Sequence, residues 1–339
     1  MFYVGLDIHS KLVAICVLDE NGKVFRRAQV RTIHETLCIL ERLPDRFEVC
    51  YEASCGYGFY HDALRPLAAR VVVVAHPGHL RLIFRSKHKN DRHDAEKLAK
   101  LLFLGEVPAV HVPSVDVRSW RELITCRRHM IEKRTMAKNS LRALLRSVGV
   151  GPQRRPGLWT KAGTAWLRQL AWPTATQALR RDLLLEEIDG LSRQVKRVEA
   201  ELDRLSDSHP AVFQLMSIPG VGVRTAEAVV SFLDDPQRFP NSKAVGRYFG
   251  LVPTQDQSGG TNRLGHITKA GSATVRRFLT EAAWQAVRRS PTVRAYFERV
   301  RRDDPQRKKI ALIATAHYLV RVMYALLRRG ELWQEKIAA

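Results

Sequence analysis

Apolar and polar positions follow three different patterns along the chain, and each predicts a different kind of element. At the start, short β-branched and aromatic runs dominate. Phe2–Ile8 (FYVGLDI), residues 12–18, residues 24–31 and Phe47–Glu52 (FEVCYE) each predict a strand. Residues 71–76 (VVVVAH) predict a strand buried on both faces. Asn21-Gly22 marks a hairpin turn. Thr32 with Glu35 has the form of a capping box and opens a helix that closes before Pro44. A second helix is expected over 57–69. From Asp91 onward, Ala95, Leu98, Ala99 and Leu102 recur at helical spacing. Three antiparallel strands followed by alternating helices and strands predict an α/β domain over 1–112.

The second pattern is helical throughout. After Pro113-Ser114 one long helix is predicted to about Val148, with Leu123, Ile124, Ile131, Leu141, Leu144 and Leu145 on its apolar face. Residues 149–157, with Pro152 and Pro156, predict a break. Leu184, Ile188, Leu191, Val195, Val198, Leu202 and Leu205 then step alternately by four and three, a heptad seam. The seam suits either a hairpin against the chain's own long helix or a coiled coil that pairs protomers. Residues 113–208 therefore predict a helical coiled-coil linker.

The third pattern, over 209–339, is mostly helical but interrupted by two glycine-containing stretches. Residues 216–232 read MSIPGVGVRTAEAVVSF, an apolar turn leading into a helix, which resembles a helix-hairpin-helix motif. There Gly220 and Gly222 would let backbone N–H groups approach a phosphate. Residues 253–277 read PTQDQSGGTNRLGHITKAGSATVRR, with Ser258 before Gly259-Gly260 in what reads as a polar, flexible loop.

Charge narrows the partner. The 339 residues carry 56 Lys and Arg against 34 Asp and Glu, a net charge of +22. That excess predicts a polyanionic partner, nucleic acid first. The long helix of the middle segment carries Arg118, Arg121, Arg127, Arg128, Lys133, Arg134 and Lys138, set against only a few acids, and is expected to contact phosphates. Arg263, Lys269, Arg276 and Arg277 surround the Ser258 loop in sequence. No apolar run approaching about 18 residues is apparent, so a soluble, cytoplasmic protein is expected. The five cysteines form no CxxC pair and are expected to be reduced and mostly buried.

Four acids carry the candidate chemistry. Asp7 ends the first predicted strand, Glu52 ends the fourth, and Asp91 and Asp94 open a helix three residues apart, on one face. The order of elements resembles the RuvC-type branch of the RNase H-like fold, in which such positions converge. Four carboxylates together would suit Mg²⁺ or Mn²⁺. The plainer alternative is that Asp7 caps a turn at Ser10 and Lys11 and that the two helical acids favour the helix dipole. His9, His76, His79, His88 and His93 match no zinc spacing.

The acids, NDRHDAEKLA, SIPGVG and SGGTNRLGHITKAGSATVRR, in that order, resemble the IS110/IS1111 family of insertion-sequence transposases and the related Piv invertases. The resemblance spans essentially the whole chain. It implies an RNase H-like (RuvC-type) catalytic domain, a coiled-coil linker and a C-terminal transposase domain. It further implies a metal site at Asp7, Glu52, Asp91 and Asp94, with Ser258 as the nucleophile that forms a covalent phosphoserine on DNA. The implied partners are donor and target DNA, a guide non-coding RNA, and further copies of the chain as a dimer or tetramer. The rival on chemistry alone is a RuvC-like structure-specific endonuclease with water as nucleophile, which would need no Ser258.

Overall fold

The computed structural model describes residues 1–54, 56–74, 91–151, 157–258 and 260–335, without the side chains of Asp91 and Arg92. The chain divides into two compact units, Met1–Val115 and Asp116–Ala339.

The first unit is built on one five-stranded sheet. Its strands are β1 (Phe2–Ile8), β2 (Val13–Leu18), β3 (Val24–Val30), β4 (Phe47–Glu52) and β5 (Arg70–Val74), in the order β3-β2-β1-β4-β5. β1, β2 and β3 are antiparallel neighbours, while β4 runs parallel to β1 and β5 parallel to β4. The fifth strand stops at Val74, and His76 lies outside the described residues. Helix α1 (Ile33–Glu41) begins with the expected capping box, Thr32 and Glu35 each bonding the other's backbone. Helix α2 (Tyr57–Leu64) is shorter than the sequence predicts. It ends at Leu64: Arg65 keeps helical dihedrals and still donates to the His61 carbonyl, but Pro66 has no N–H with which to continue the ladder.

Alternation along the strands creates two apolar faces. Val4, Leu6, Ile15, Val17, Val49 and Tyr51 share one cluster with Leu40 of α1 and Leu64 of α2. The opposite face is made of small residues, Gly5, Ala14, Cys16 and Cys50, and is covered by α3 (Asp91–Phe103) through Ala95, Leu98, Ala99 and Leu102. Small residues let the helix come unusually close. A Cβ at Gly5 would overlap the Ala95 carbonyl oxygen and lie 2.5 Å from the Ala99 amide nitrogen. Gly5→Ala is therefore expected to destabilise the full chain by about 3 kcal/mol, since the obstructing atoms are backbone. Chemical denaturation checks this, and an unchanged midpoint would mean that the helix seats less tightly.

The same face holds a carboxylate with a measurable pH signature. Glu96 of α3 is little exposed and accepts from Arg27 of β3 and Lys100, both at 2.8 Å. The Lys100 and Arg27 hydrogen bonds push its pKa down to about 2. A depressed carboxylate stabilises the fold above its unfolded pKa, and that contribution fades as pH falls from the ordinary glutamate range toward 2. Both cations are half exposed to solvent, so about 1–2 kcal/mol is expected after screening. Glu96→Gln should flatten the acid limb of stability against pH in that window, and an unaltered limb would refute the assignment.

Burial pushes the Cys16 thiol up to about 11 and the Cys50 thiol upward, and Cys50 donates to the Leu98 carbonyl at 3.1 Å. These two are the buried thiols expected from sequence. Cys126 is exposed instead, and Cys55 lies outside the described residues.

In the second unit, α4 (Val115–Ser147) and α6 (Ala175–Asp207) form an antiparallel hairpin. Arg127 meets Glu199 at 2.6 Å and Arg134 meets Ser192 at 3.4 Å, one helix counting up as the other counts down. The heptad seam is spent inside the chain. Leu184, Leu185 and Ile188 pack with Leu141, Leu144 and Leu145 of α4, and Val198, Leu202 and Leu205 pack in a cluster that includes Trp120 and Ile124. Of the two partners the seam allowed, the one it meets is the chain's own long helix. A short helix that the sequence pattern did not suggest, α5 (Lys161–Gln169), sits between them, capped by Thr160.

The remaining elements are α7 (Pro210–Met216), α8 (Val223–Leu233), α9 (Ser242–Tyr248), β6 (Pro253–Ser258), β7 (Thr261–Ile267), α10 (Ala273–Arg289), α11 (Pro291–Arg301) and α12 (Lys308–Arg329). Their core includes Leu215, Ile218, Val229, Phe249, Leu279, Leu319 and Val320 together with Trp120, Ile124 and Leu202. The middle and C-terminal segments thus share one core rather than forming the separate linker and domain expected from sequence. The segment Pro305–Arg329 is long and apolar enough to cross a membrane by length and composition, contrary to the expectation that no such run exists. Its apolarity serves the core, where Ala311, Ala316, Leu319, Val320 and Met323 are buried.

Candidate active site

Sheet register brings two of the four acids side by side. Leu6 of β1 faces Tyr51 of the parallel β4, so Asp7 and Glu52 follow as neighbours at the ends of adjacent strands. Alternation puts Asp7 on the face of Gly5 and Glu52 on the face of Cys50, which is the face that α3 covers. The direction of α3 is fixed by its contacts. Phe103 meets Tyr3 edge-on at 5.3 Å, while Ala95 and Ala99 lie against Gly5. The first turn of α3, carrying Asp91 and Asp94, therefore points toward the strand end that carries Asp7.

Each described acid has local partners. Asp7 is 13% exposed and its Oδ2 lies 3.1 Å from His9 Nε2. Asp94 accepts from Lys97 Nζ at 2.8 Å. Among the described residues no three His, Cys, Asp or Glu side chains gather closely enough to hold a metal ion. The Asp91 side chain lies outside that set, as do His76, His79 and His88. Asp7, Glu52 and Asp94 thus stand at two strand ends and a helix start without closing into a metal-holding group, and all three offer only oxygen donors. Such donors fit a hard divalent cation and do not suit a soft one.

Ser258 lies on the second unit. Residues 253–267 form an exposed two-stranded hairpin rather than the flexible loop expected, with Ser258 paired to Thr261 at its tip and Gly260 at φ +84° in the turn. Gly259 lies outside the described residues. Asp256 stands opposite Arg263 across the ladder. Arg276 braces the region beside the hairpin, donating from Nη1 to the carbonyls of Phe249, Ala270 and Gly271. Arg277 reaches Glu281 at 3.1 Å and Glu132 at 3.7 Å. Lys269 is exposed and adopts a left-handed backbone at φ +55°.

The apolar turn before α8 has two glycines with different roles. Gly220 sits at φ +94°, and a Cβ there would lie 2.5 Å from the Ala286 backbone nitrogen, so this glycine is required by packing on α10. Gly222 is the N-cap of α8 and has open space around it.

Several cations of α4 face inward. Arg121 donates to the carbonyls of Ser231 at 2.7 Å and Phe232 at 3.2 Å. Arg127 and Arg134 join α4 to α6, and Lys138 lies over the Trp159 ring at 4.9 Å. Arg128 bonds Glu132 at 3.3 Å, and Lys133 borders an open cleft with Met130 and Leu191. Arg118 is also engaged in contacts.

The chain is similar to known transposases. Residues 4–150 match a DEDD-type IS110 transposase family model, and residues 213–298 match the family described as Transposase IS116/IS110/IS902. A putative transposase of Sinorhizobium fredii is 29% identical over 83% of this chain and 71% of its own length. A probable family 20 transposase of Pseudomonas aeruginosa is 25% identical over 96% of each chain. The transposase for insertion sequence element IS1111A of Coxiella burnetii is 24% identical over 98% of this chain and 91% of its own.

Proposed function

This chain belongs to the IS110 family of insertion-sequence transposases, and on that premise we propose that it cuts and rejoins DNA with a divalent-metal site and a serine nucleophile. The observation that carries the reading is the placement of Asp7 and Glu52 on neighbouring parallel strand ends, under the first turn of α3. An RNase H-like (RuvC-type) fold is supported by the strand order β3-β2-β1-β4-β5 with its antiparallel and parallel halves.

Asp7, Glu52, Asp91 and Asp94 would hold Mg²⁺ or Mn²⁺. Such an ion lowers the pKa of an attacking hydroxyl and offsets charge on the phosphate. Ser258 supplies the nucleophile: its Oγ bonds to phosphorus as the bond from phosphorus to a DNA sugar oxygen breaks, and the proton lost by the serine is balanced by one taken up from solvent by the departing sugar oxygen, which leaves as a hydroxyl. The exposed hairpin tip gives a duplex access to Ser258, and Lys269 and Arg263 add positive charge in its neighbourhood. A guide non-coding RNA and assembly as a dimer or tetramer in the cytoplasm belong to the same reading through family resemblance. The net charge of +22 is compatible with holding both nucleic acids.

The test is strand cleavage by the purified full chain on DNA carrying the ends of its element, comparing the native chain with Asp7→Asn and Ser258→Ala. Metal-dependent cleavage with a covalent protein–DNA species supports the proposal. Cleavage that leaves no such species favours the water-using endonuclease.

A further inference from the structure

Between Trp284 and Lys309 the chain carries nine Lys or Arg and only three Asp or Glu. The fold gathers part of this charge at one place. Arg288 lies over the Trp284 ring at 5.2 Å and Lys308 at 4.9 Å, although they come from the end of α10 and the start of α12. Trp284 itself is held edge-on against Phe297 of α11 at 6.5 Å. A neighbouring cation is fixed in the same way. Arg299 lies 5.1 Å over Tyr296, whose ring stacks on Tyr318 at 4.5 Å. Arg288, Arg289, Arg299, Arg302, Lys308 and Lys309 are all exposed.

Local structure accounts for part of this charge: Arg288, Arg289 and Arg299 lie in the last turns of α10 and α11, where cations suit the helix dipole, but the cations that open α12 have no such reason. Near the end of α10 the carbonyls of Val287 and Arg288 are already met by Arg294, at 3.0 and 2.8 Å. Arg307, Lys308 and Lys309 open α12, where no acid occupies the first turn and no side chain caps the end. Positive charge at a helix N-terminus opposes the helix dipole, so this placement is unfavourable to the fold. The nearby acids serve other contacts: Glu298 and Asp303 pair with Arg301 at 2.7 and 3.4 Å, and Asp304 accepts from the Gln306 amide. At the start of α12 a local rule is broken, as happens at functional surfaces.

We propose that the cations gathered around Trp284 form a binding surface for the phosphate backbone of duplex DNA. The proposal deepens the DNA-acting reading above and rests on it. Duplex rather than single-stranded nucleic acid follows from the aromatic rings. A single-strand binder offers ring faces on which bases stack. Here Arg288 and Lys308 lie over Trp284, and Tyr296 is taken by Tyr318 and Arg299, so the rings orient cations toward phosphates instead. Such contacts set the register of a duplex without reading its sequence.

The experiment measures binding of the full chain to a duplex of arbitrary sequence, across a range of salt concentrations. R288Q/K308Q/K309Q is compared with R193Q/K196Q/R197Q, which removes equal charge from exposed positions on α6. Each lost phosphate contact lowers the slope of log affinity against log salt by about 0.9, so the first variant should lose about 2 to 3 in slope and the control much less. R288K/K308R/K309R should keep the native slope, which guards against a folding defect. Equal losses in both neutralised variants, or a loss confined to single-stranded RNA, would overturn the proposal. The covalent species formed at Ser258 by the native chain reports separately on the transposase chemistry, so the two readings fail independently.

Discussion

Asp7→Asn is expected to abolish DNA strand cleavage while leaving folding and nucleic-acid binding intact. The substitution keeps the size of the side chain and removes one charged oxygen from the β1 end beside Glu52. A metal-assisted step depends on that charge for several kcal/mol, and each 1.36 kcal/mol is tenfold, so a loss of about 10³-fold or more follows. Stability should hold, because the amide keeps the size and hydrogen-bonding capacity of the carboxylate at this strand end. DNA affinity should not fall, because the variant is less negative. The competing role for Asp7, a structural one in the turn at Ser10 and Lys11, where its carboxylate also lies 3.1 Å from His9 Nε2, makes the opposite forecast. In that case the melting temperature drops and residual cleavage tracks the folded fraction. Measuring melting, duplex binding and cleavage on one preparation separates the two. An active, stable Asp7→Asn chain would remove the metal-site proposal altogether.

The strands of the first unit are legible in sequence because each is a β-branched or aromatic run with a turn residue beside it. β1 and β4 match their expected bounds to the residue. The placement of Asp7 beside Glu52 needed the fold, since register between β1 and β4 is a long-range property that no local pattern encodes. Three other features resisted reading for different physical reasons. Periodicity shows that the seam from Leu184 to Leu205 must be covered, but not by whose helix; α4 turned out to cover it. The Ser258 hairpin is exposed on both faces, so it has no apolar alternation and reads as a loop. Charge along α4 is visible in sequence, yet whether an arginine meets a phosphate or the Ser231 carbonyl depends on packing. The Trp284 cluster is illegible for a related reason, because Lys308 reaches the ring from a helix that starts 24 residues further on.

Ser258→Ala is expected to abolish the covalent protein–DNA species and strand exchange. A hydroxyl is a poor nucleophile until its proton leaves and the phosphate charge is offset. Its position therefore matters as much as its identity. Ser258 stands at the tip of an exposed hairpin, where Gly260 supplies a turn with little steric bulk. The hairpin is joined to the core near Arg276, whose guanidinium holds the carbonyls of Phe249, Ala270 and Gly271. Removing an exposed hydroxyl should change stability by less than about 0.5 kcal/mol, so loss of the adduct cannot be attributed to unfolding. Trapping on cleavable DNA under denaturing conditions gives the readout. The native chain should shift in mobility on the gel by the mass of the attached strand, and the Ala variant should not, while both bind the duplex alike. Ser258→Cys adds a second arm. A thiolate retains nucleophilicity, so a slow adduct through sulfur would locate the attack at this position. If the Ala variant still forms the adduct, another residue is the nucleophile. If it cleaves without any adduct, water is the nucleophile and the carboxylates of the first unit act as a nuclease.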